Sequence, residues 1–397
     1  MPDLAQPLAC QRDLFSLPLD VHYLNCSSRS PLAKAVEAAG VAGLRGKRVP
    51  LLTHDDFFGL PDRIRAQFAK LINAPDPQQI ALIPAVSYGM AIVAKNTPLM
   101  AGQRIVLVDQ QFPSDVYAFR RLAAESGAAI TTVQAPDAEH RSQAWSKALV
   151  EALTPDAGLI VVPHVHWTDG TRFDLEAIGQ RAREVGAAFV VDGTQSVGAL
   201  PFDVASIRPD ALVCAAYKWL FGPYTSGLAY FGERYLDGVP LEENWLNRAE
   251  SDNFSQLVHY QDAYQPGAIR FDMGERSNFI QLPMLHAALD MVLQWQPERI
   301  QAYCAQLTAP ILSEVREMGY RTADTPGRAH HVFGIRLPDA VGLDVLKAEL
   351  AKRHIHVSVR GDAVRVAPHV YNTDADMAAL RDALRAVRST PPVTAAV

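Results

Sequence analysis

Between about residues 80 and 232 the sequence keeps returning to short apolar, β-branched runs separated by stretches of helical periodicity. The runs are Gln79–Ile83, Arg104–Val108, Leu159–Pro163, Ala187–Val191, Ala211–Ala215 and Gly227–Phe231. Continuous apolar runs without polar alternation predict strands buried on both faces, and helical connections between them predict mostly parallel pairing. The stretch from Asp174 to Gly186 shows the connection in full. It starts on a carboxylate that can accept from the free N–H groups of a first helical turn, and it stops at a glycine, as a crossover helix does. The expected class is α/β, a mostly parallel sheet covered by helices.

Outside that region the rhythm changes. Leu241–Gln265 is polar and irregular, and helical periodicity resumes at Ile280. The remainder mixes helices (Leu343–Arg353, Asp374–Val387) with short strands (Val332–Arg336, His356–Arg360, Ala363–Ala367). This predicts an N-terminal arm over 1–25, a large unit over 26–279, a smaller α+β unit over 280–388 and a flexible tail over 389–397. A hydrophobic fraction of 49% with 20% charged residues excludes a disordered or collagen-like chain. The net charge of −6 provides no field to hold a polyanion, so neither nucleic acid nor an anionic membrane is an expected partner. Cys10, Cys26, Cys214 and Cys304 are scattered without a metal-binding spacing, so neither a disulfide framework nor a metal site is expected. No apolar stretch approaches the roughly 18 residues that span a bilayer, and no basic-then-apolar leader opens the chain. The expected location is cytoplasmic.

In open α/β sheets ligands bind where strands end at their carboxyl termini. Two successive strands end in complementary groups: Ala187–Val191 runs into Asp192, and Ala211–Ala215 runs into Ala216-Tyr217-Lys218. Lys218 has two readings. It is a lysine snorkelling to solvent or paired with an acid, or it is a desolvated amine kept for Schiff-base chemistry. Pyridoxal phosphate requires such an amine for its aldehyde and a carboxylate beside its ring nitrogen, and Asp192 with Lys218 supplies both. Pro84-Ala-Val86-Ser87-Tyr88-Gly89 follows another strand and opens a helix. Ser87 there is either a plain N-cap or, with the backbone N–H groups, a phosphate cradle.

The run from Val190 to Asp203, followed by Tyr217-Lys218, resembles the signature of the class V aminotransferases. That pyridoxal-phosphate family includes cysteine desulfurases, kynureninases and isopenicillin N epimerase-like proteins, and the likeness extends from about Tyr23 to Leu384. It implies a fold-type I architecture, a seven-stranded-type sheet, and a homodimer with shared active sites acting on a small amino acid. It also implies that Lys218 forms the Schiff base, Asp192 pairs with the pyridine nitrogen and Gln195 hydrogen-bonds the ring's phenolic oxygen. Val86 and Ser87 hold the phosphate, Phe112 stacks on the ring, and Asp115 closes the same Gln110–Asp115 segment. Tyr217, Trp245, Ser277 and Asn278 match positions that reach the phosphate, the last two from the neighbouring subunit. Arg365, within Arg365-Val-Ala-Pro-His-Val-Tyr-Asn372, matches the arginine that grips the substrate carboxylate, with Ser28 and Arg29 in a loop over the pocket. His164 and His166 are read as ring-packing histidines, with an acid–base role as the other possibility. The reaction implied is nominally transamination. A β-eliminating C–S lyase, a kynureninase-like hydrolase or epimerase, and a non-catalytic binding protein are the alternatives. No cysteine stands just before Arg365, where desulfurases carry one.

Overall fold

A computed structural model of the chain describes residues 7–388 other than 52, 139, 324–326, 339–340 and 361–362. The expected tail over 389–397 lies outside the described residues. The strands are β1 (His22–Tyr23), β2 (Ile80–Ile83), β3 (Arg104–Val108), β4 (Ala129–Val133), β5 (Ala157–Pro163), β6 (Ala188–Asp192), β7 (Ala211–Ala215) and β8 (Gly227–Phe231). They continue as β9 (Arg321–Thr322), β10 (Phe333–Arg336), β11 (Ile355–His356), β12 (Ser358–Arg360) and β13 (Ala363–Val366). The helices are α1 (Lys34–Gly46), α2 (Leu60–Leu71), α3 (Val86–Asn96), α4 (Ser114–Ser126), α5 (Arg141–Ala152) and α6 (Leu175–Val185). After them come α7 (Val204–Ile207), α8 (Gln281–Trp295), α9 (Pro297–Glu317), α10 (Leu343–Lys352) and α11 (Asp374–Arg388).

Seven strands form the main sheet in the order β2-β8-β7-β6-β5-β3-β4. All neighbours are parallel except β8, which runs against both β2 and β7. Strands β2, β6, β7 and β8 are buried along their whole length, which explains why they read as unbroken apolar runs. Strand β4 is absent from the sequence expectations. It is the edge strand, largely solvent-facing, and its Ala-Ile-Thr-Thr-Val run carries too little hydrophobicity to be distinguished from a loop. Helix α6 follows the expected design: Asp174 accepts from Ala177 N at 3.1 Å, and Gly186 closes the helix at φ 79°.

One apolar cluster fills each side of the sheet and a third lies beneath the C-terminal strands. The four-stranded sheet β12-β13-β10-β9 is antiparallel. The expected strand His356–Arg360 divides at Val357, because β11 pairs in parallel with β1 of the N-terminal arm while β12 pairs with β13. Helix α8 lies beyond the expected boundary at 280, yet its buried face joins the core cluster of the large sheet together with residues of α1 and α2.

Candidate active site

The carboxyl ends of β2, β6 and β7, with the loops after β3 and β5, enclose a cavity of about 300 Å³. Lys218 reaches it three residues after β7 and is 7% exposed. Burial draws the Lys218 pKa down to about 8, the nearby Asp192 opposing the shift and Arg365 and Arg360 adding to it. Asp192 ends β6 on the same cavity. Its Oδ1 accepts from Thr194 N at 2.8 Å, and Gly193 N is tied to Val213 O across the strand pair, which fixes where the carboxylate points.

Behind Asp192 lies a second carboxyl. Asp115 is fully buried, and burial together with the charge of Asp192 raises its pKa well above the carboxylate range. Its Oδ2 accepts from Gln111 Nε2 at 3.2 Å.

The start of α3 also lines the cavity. Ala85, extended at φ −162°, places Val86 and Ser87 in the first turn, where the N–H groups have no acceptor within the helix. Gly89 keeps α3 on the sheet: a Cβ there would stand 2.7 Å from Val213 Cγ1. Ser87, Ser114 and Thr225 line this region with Tyr217 and Tyr224, whose rings lie 4.3 Å apart. One wall is apolar: Phe112 stands 5.5 Å from Lys218 Nζ and packs edge-on against Trp167. Trp167 is fixed by Nε1 donating to Gln110 O at 2.7 Å and by its own carbonyl, which accepts from Arg365 Nη1 at 2.6 Å.

The class V aminotransferase family model matches residues 54–386. The chain belongs to the class V aminotransferase family. It is 30% identical to a kynureninase of Deinococcus radiodurans over 73% of this chain and 70% of that protein. It is 26% identical to the uncharacterized aminotransferase YcbU of Bacillus subtilis over 79% of this chain and 80% of that protein. In fold it is similar to a cysteine desulfurase of Thermococcus onnurineus NA1, with TM-score 0.82 and 20% identity over 96% of this chain and 99% of that one. The cystine C-S lyase C-DES aligns with TM-score 0.82 and 20% identity over 94% of this chain and 99% of that one. Members of this class V family use pyridoxal phosphate, and the cavity suits it. Free N–H groups and hydroxyls, the Asp192 carboxyl backed by Asp115, the Lys218 amine with its lowered pKa and the Phe112 ring all border it.

Of the residues expected from sequence, Val86, Ser87, Phe112, Asp192, Gln195, Tyr217 and Lys218 line this one cavity. Asp115 lies directly behind it, and Arg365, 1% exposed, against its Trp167 wall. Gln195 is held by Nε2 donating to Ser27 O and Oε1 accepting from Trp219 Nε1, both at 3.0 Å. Arg29 is instead exposed, its carbonyl accepting from Tyr23 Oη, and Ser28 is not part of the cavity wall. Trp245, Ser277 and Asn278 are elsewhere on this chain. Trp245 packs on Phe57 and Phe254, Ser277 Oγ donates to Phe57 O, and Asn278 Oδ1 accepts from Ile280 N and Gln281 N. His166 packs on Trp145, with Nδ1 against Thr168 Oγ1, and His164 packs on Phe202. Burial lowers both of their pKa values. Thr194, Ser114, Tyr224 and Thr225 are lining residues that sequence reasoning missed. Thr225 takes φ +63°, a strained angle for a β-branched residue, and nothing local in the sequence signals it.

Proposed function

We propose that this pyridoxal-phosphate enzyme is a homodimeric, cytoplasmic transaminase of a small amino acid. The observation carrying the reading is the shared placement of Lys218 and Asp192 on a cavity that the first turn of α3 closes. Pyridoxal phosphate, once bound, withdraws electrons from the substrate Cα. Lys218 is the attachment residue and, as a free amine, the base that takes and returns the Cα proton. Asp192 pairs with the ring nitrogen, and Asp115 is buried behind it. The N–H groups of Val86 and Ser87 hold the phosphate, with Ser114 and Thr225 close by. Arg365 grips the substrate carboxylate.

The dimer proposal rests on the surface. Leu51, Val258 and Tyr260 are 81%, 74% and 95% exposed, and Tyr224, a cavity residue, is 64% exposed. In such a dimer the partner copy's Trp245, Ser277 and Asn278 would reach the phosphate, as the likeness to the class V family implies. Identity to a kynureninase supports a second reading, a kynureninase-like hydrolase. Three of the four cysteines, Cys26, Cys214 and Cys304, are buried, and burial raises each thiol pKa, while Cys10 is exposed on the N-terminal arm and does not line the cavity.

The test begins with the visible absorbance of the purified protein, expected in the wild type and lost in Lys218→Ala. An amino donor added without a keto acid then converts one equivalent per site and stops if the enzyme transaminates. Continued turnover without an acceptor refutes transamination, and the product then separates the alternatives: pyruvate with ammonia for a β-eliminating lyase, alanine for the kynureninase-like hydrolase. Mixing Lys218→Ala with Asn278→Ala protomers restores activity if sites are shared, and leaves it absent if each chain is self-sufficient.

A further inference from the structure

Arg365 is not the only arginine beside the cavity. Three successive contacts of 5.5 Å lead from Lys218 Nζ to the Phe112 ring, from Phe112 to Trp167, and from Trp167 to Arg360 Cζ. Arg360 ends β12, and Arg365 lies in β13, which pairs with it. Both guanidiniums flank Trp167, one on its carbonyl and one on its ring face. Neither forms an ion pair with a carboxylate among the described residues. Arg360 Nη1 bonds only to the carbonyl of Val359, and the Nε atoms of both arginines are buried without a hydrogen-bond partner. Elsewhere in the chain partly buried arginines do find carboxylates, as Arg104 does with Asp156 and Arg12 with Asp376. Two cations left unneutralised beside a depressed lysine are electrostatically costly unless a ligand supplies the charge. One α-carboxylate neutralises one arginine and leaves the other.

We infer that the substrate carries a second anionic group on its side chain, an acid or a phosphate ester, which Arg360 receives across the face of Trp167 while Arg365 holds the α-carboxylate. This rests on the amino-acid reading above and adds a substrate class to it. Planar guanidinium binds a carboxylate or a phosphate through paired N–H donors, and the ring beneath Arg360 restricts its rotamers before the ligand arrives. A diacid therefore spans the two arginines and a monoacid meets only one.

The test is calorimetric titration of the purified holoprotein with propionate, succinate, glutarate and 3-phosphonopropionate, followed by the same series on Arg360→Gln and Arg360→Lys. The diacids are expected to bind at least tenfold more tightly than propionate, with the preference lost in Arg360→Gln and partly kept in Arg360→Lys. The better of glutarate and the phosphonate identifies the side-chain acid. Equal affinity for propionate and the diacids in the wild type overturns the inference whatever the variants do. A diacid preference that persists in folded Arg360→Gln also overturns it. Titration needs no turnover, so a protein that lacks the visible band yet prefers diacids contradicts the cofactor-based reading alone.

Discussion

Lys218 offers the most direct check on the electrostatics, because the cavity acts on it from two sides. Its pKa is drawn from 10.5 down to about 8. A shift of that size raises the free-amine fraction at neutral pH roughly 300-fold over an exposed lysine. The perturbations are Asp192→Asn, which removes the group that holds the pKa up, and Arg365→Gln, which removes a cation that holds it down. Asp192→Asn is expected to lower the midpoint further, and Arg365→Gln to raise it toward the ordinary value. The assay is carbamylation by cyanate of protein freed of cofactor, across a pH series, read peptide by peptide in the mass spectrometer. Lys147, 76% exposed at its side chain, is the internal standard. Lys218 should label with a midpoint near 8, below the ordinary lysine value. A Lys218 midpoint at or above its ordinary value of 10.5, or both variants shifting it in the same direction, refutes the reasoning.

The same shift bears on stability. The unfolded chain binds a proton at Lys218 that the folded chain releases between about pH 8 and 10.4, so stability rises with pH through that window and the full penalty, about 3 kcal/mol, applies below it. Lys218→Met should therefore raise the melting temperature of cofactor-free protein at neutral pH, with the gain shrinking above pH 10. Asp272 accepts from Leu82 N at 2.8 Å and pairs with Arg65 and Arg276, all three side chains being buried. Asp272→Asn leaves two guanidiniums short of charge and should cost about 3 to 5 kcal/mol in urea denaturation. Gly198 sits at φ +100° with a Cβ position 2.4 Å from Trp219 O. Gly198→Ala should cost about 3 kcal/mol and displace the Lys218-Trp219 turn, seen as slower reconstitution with cofactor.

The large sheet is legible because its strands are buried on both faces, so hydrophobicity alone marks β2, β3, β5, β6, β7 and β8. Edge strand β4 is not, since a strand half in solvent may carry threonines as readily as a loop does. Asp192 and Lys218 are legible because they interrupt apolar runs at the strand ends, where a charge is costly without a use. Thr194, Tyr224 and Thr225 are not. Their place on the cavity depends on how the loops after β6 and before β8 fold back, and on a positive φ at Thr225 that no neighbouring residue dictates. Arg360 illustrates a third situation. A strand-end arginine is ordinary in sequence, and only its place over the Trp167 ring beside Arg365 shows that it meets no carboxylate among the described residues.

The cavity is costly to fold in ways its surroundings offset. Lys218, Arg365 and Asp115 each lose hydration, and Gln110, Phe221 and Thr225 take left-handed backbone angles around it. Such features persist only where neighbouring structure over-determines them. Here the surrounding scaffold is the sheet itself: apolar clusters lie on both of its faces, and Asp272 ties α2 to β2 just before α3 begins. The site's strain and the sheet's rigidity are thus one design, and the two sets of substitutions should separate cleanly. Changes within the cavity should spare or raise stability while altering the Lys218 midpoint. Changes at Asp272 should lower stability and leave that midpoint near 8 as long as the chain is folded. A midpoint that moves with Asp272→Asn in still-folded protein would mean that the amine's environment is set by the whole sheet rather than by Asp192, Arg365 and burial.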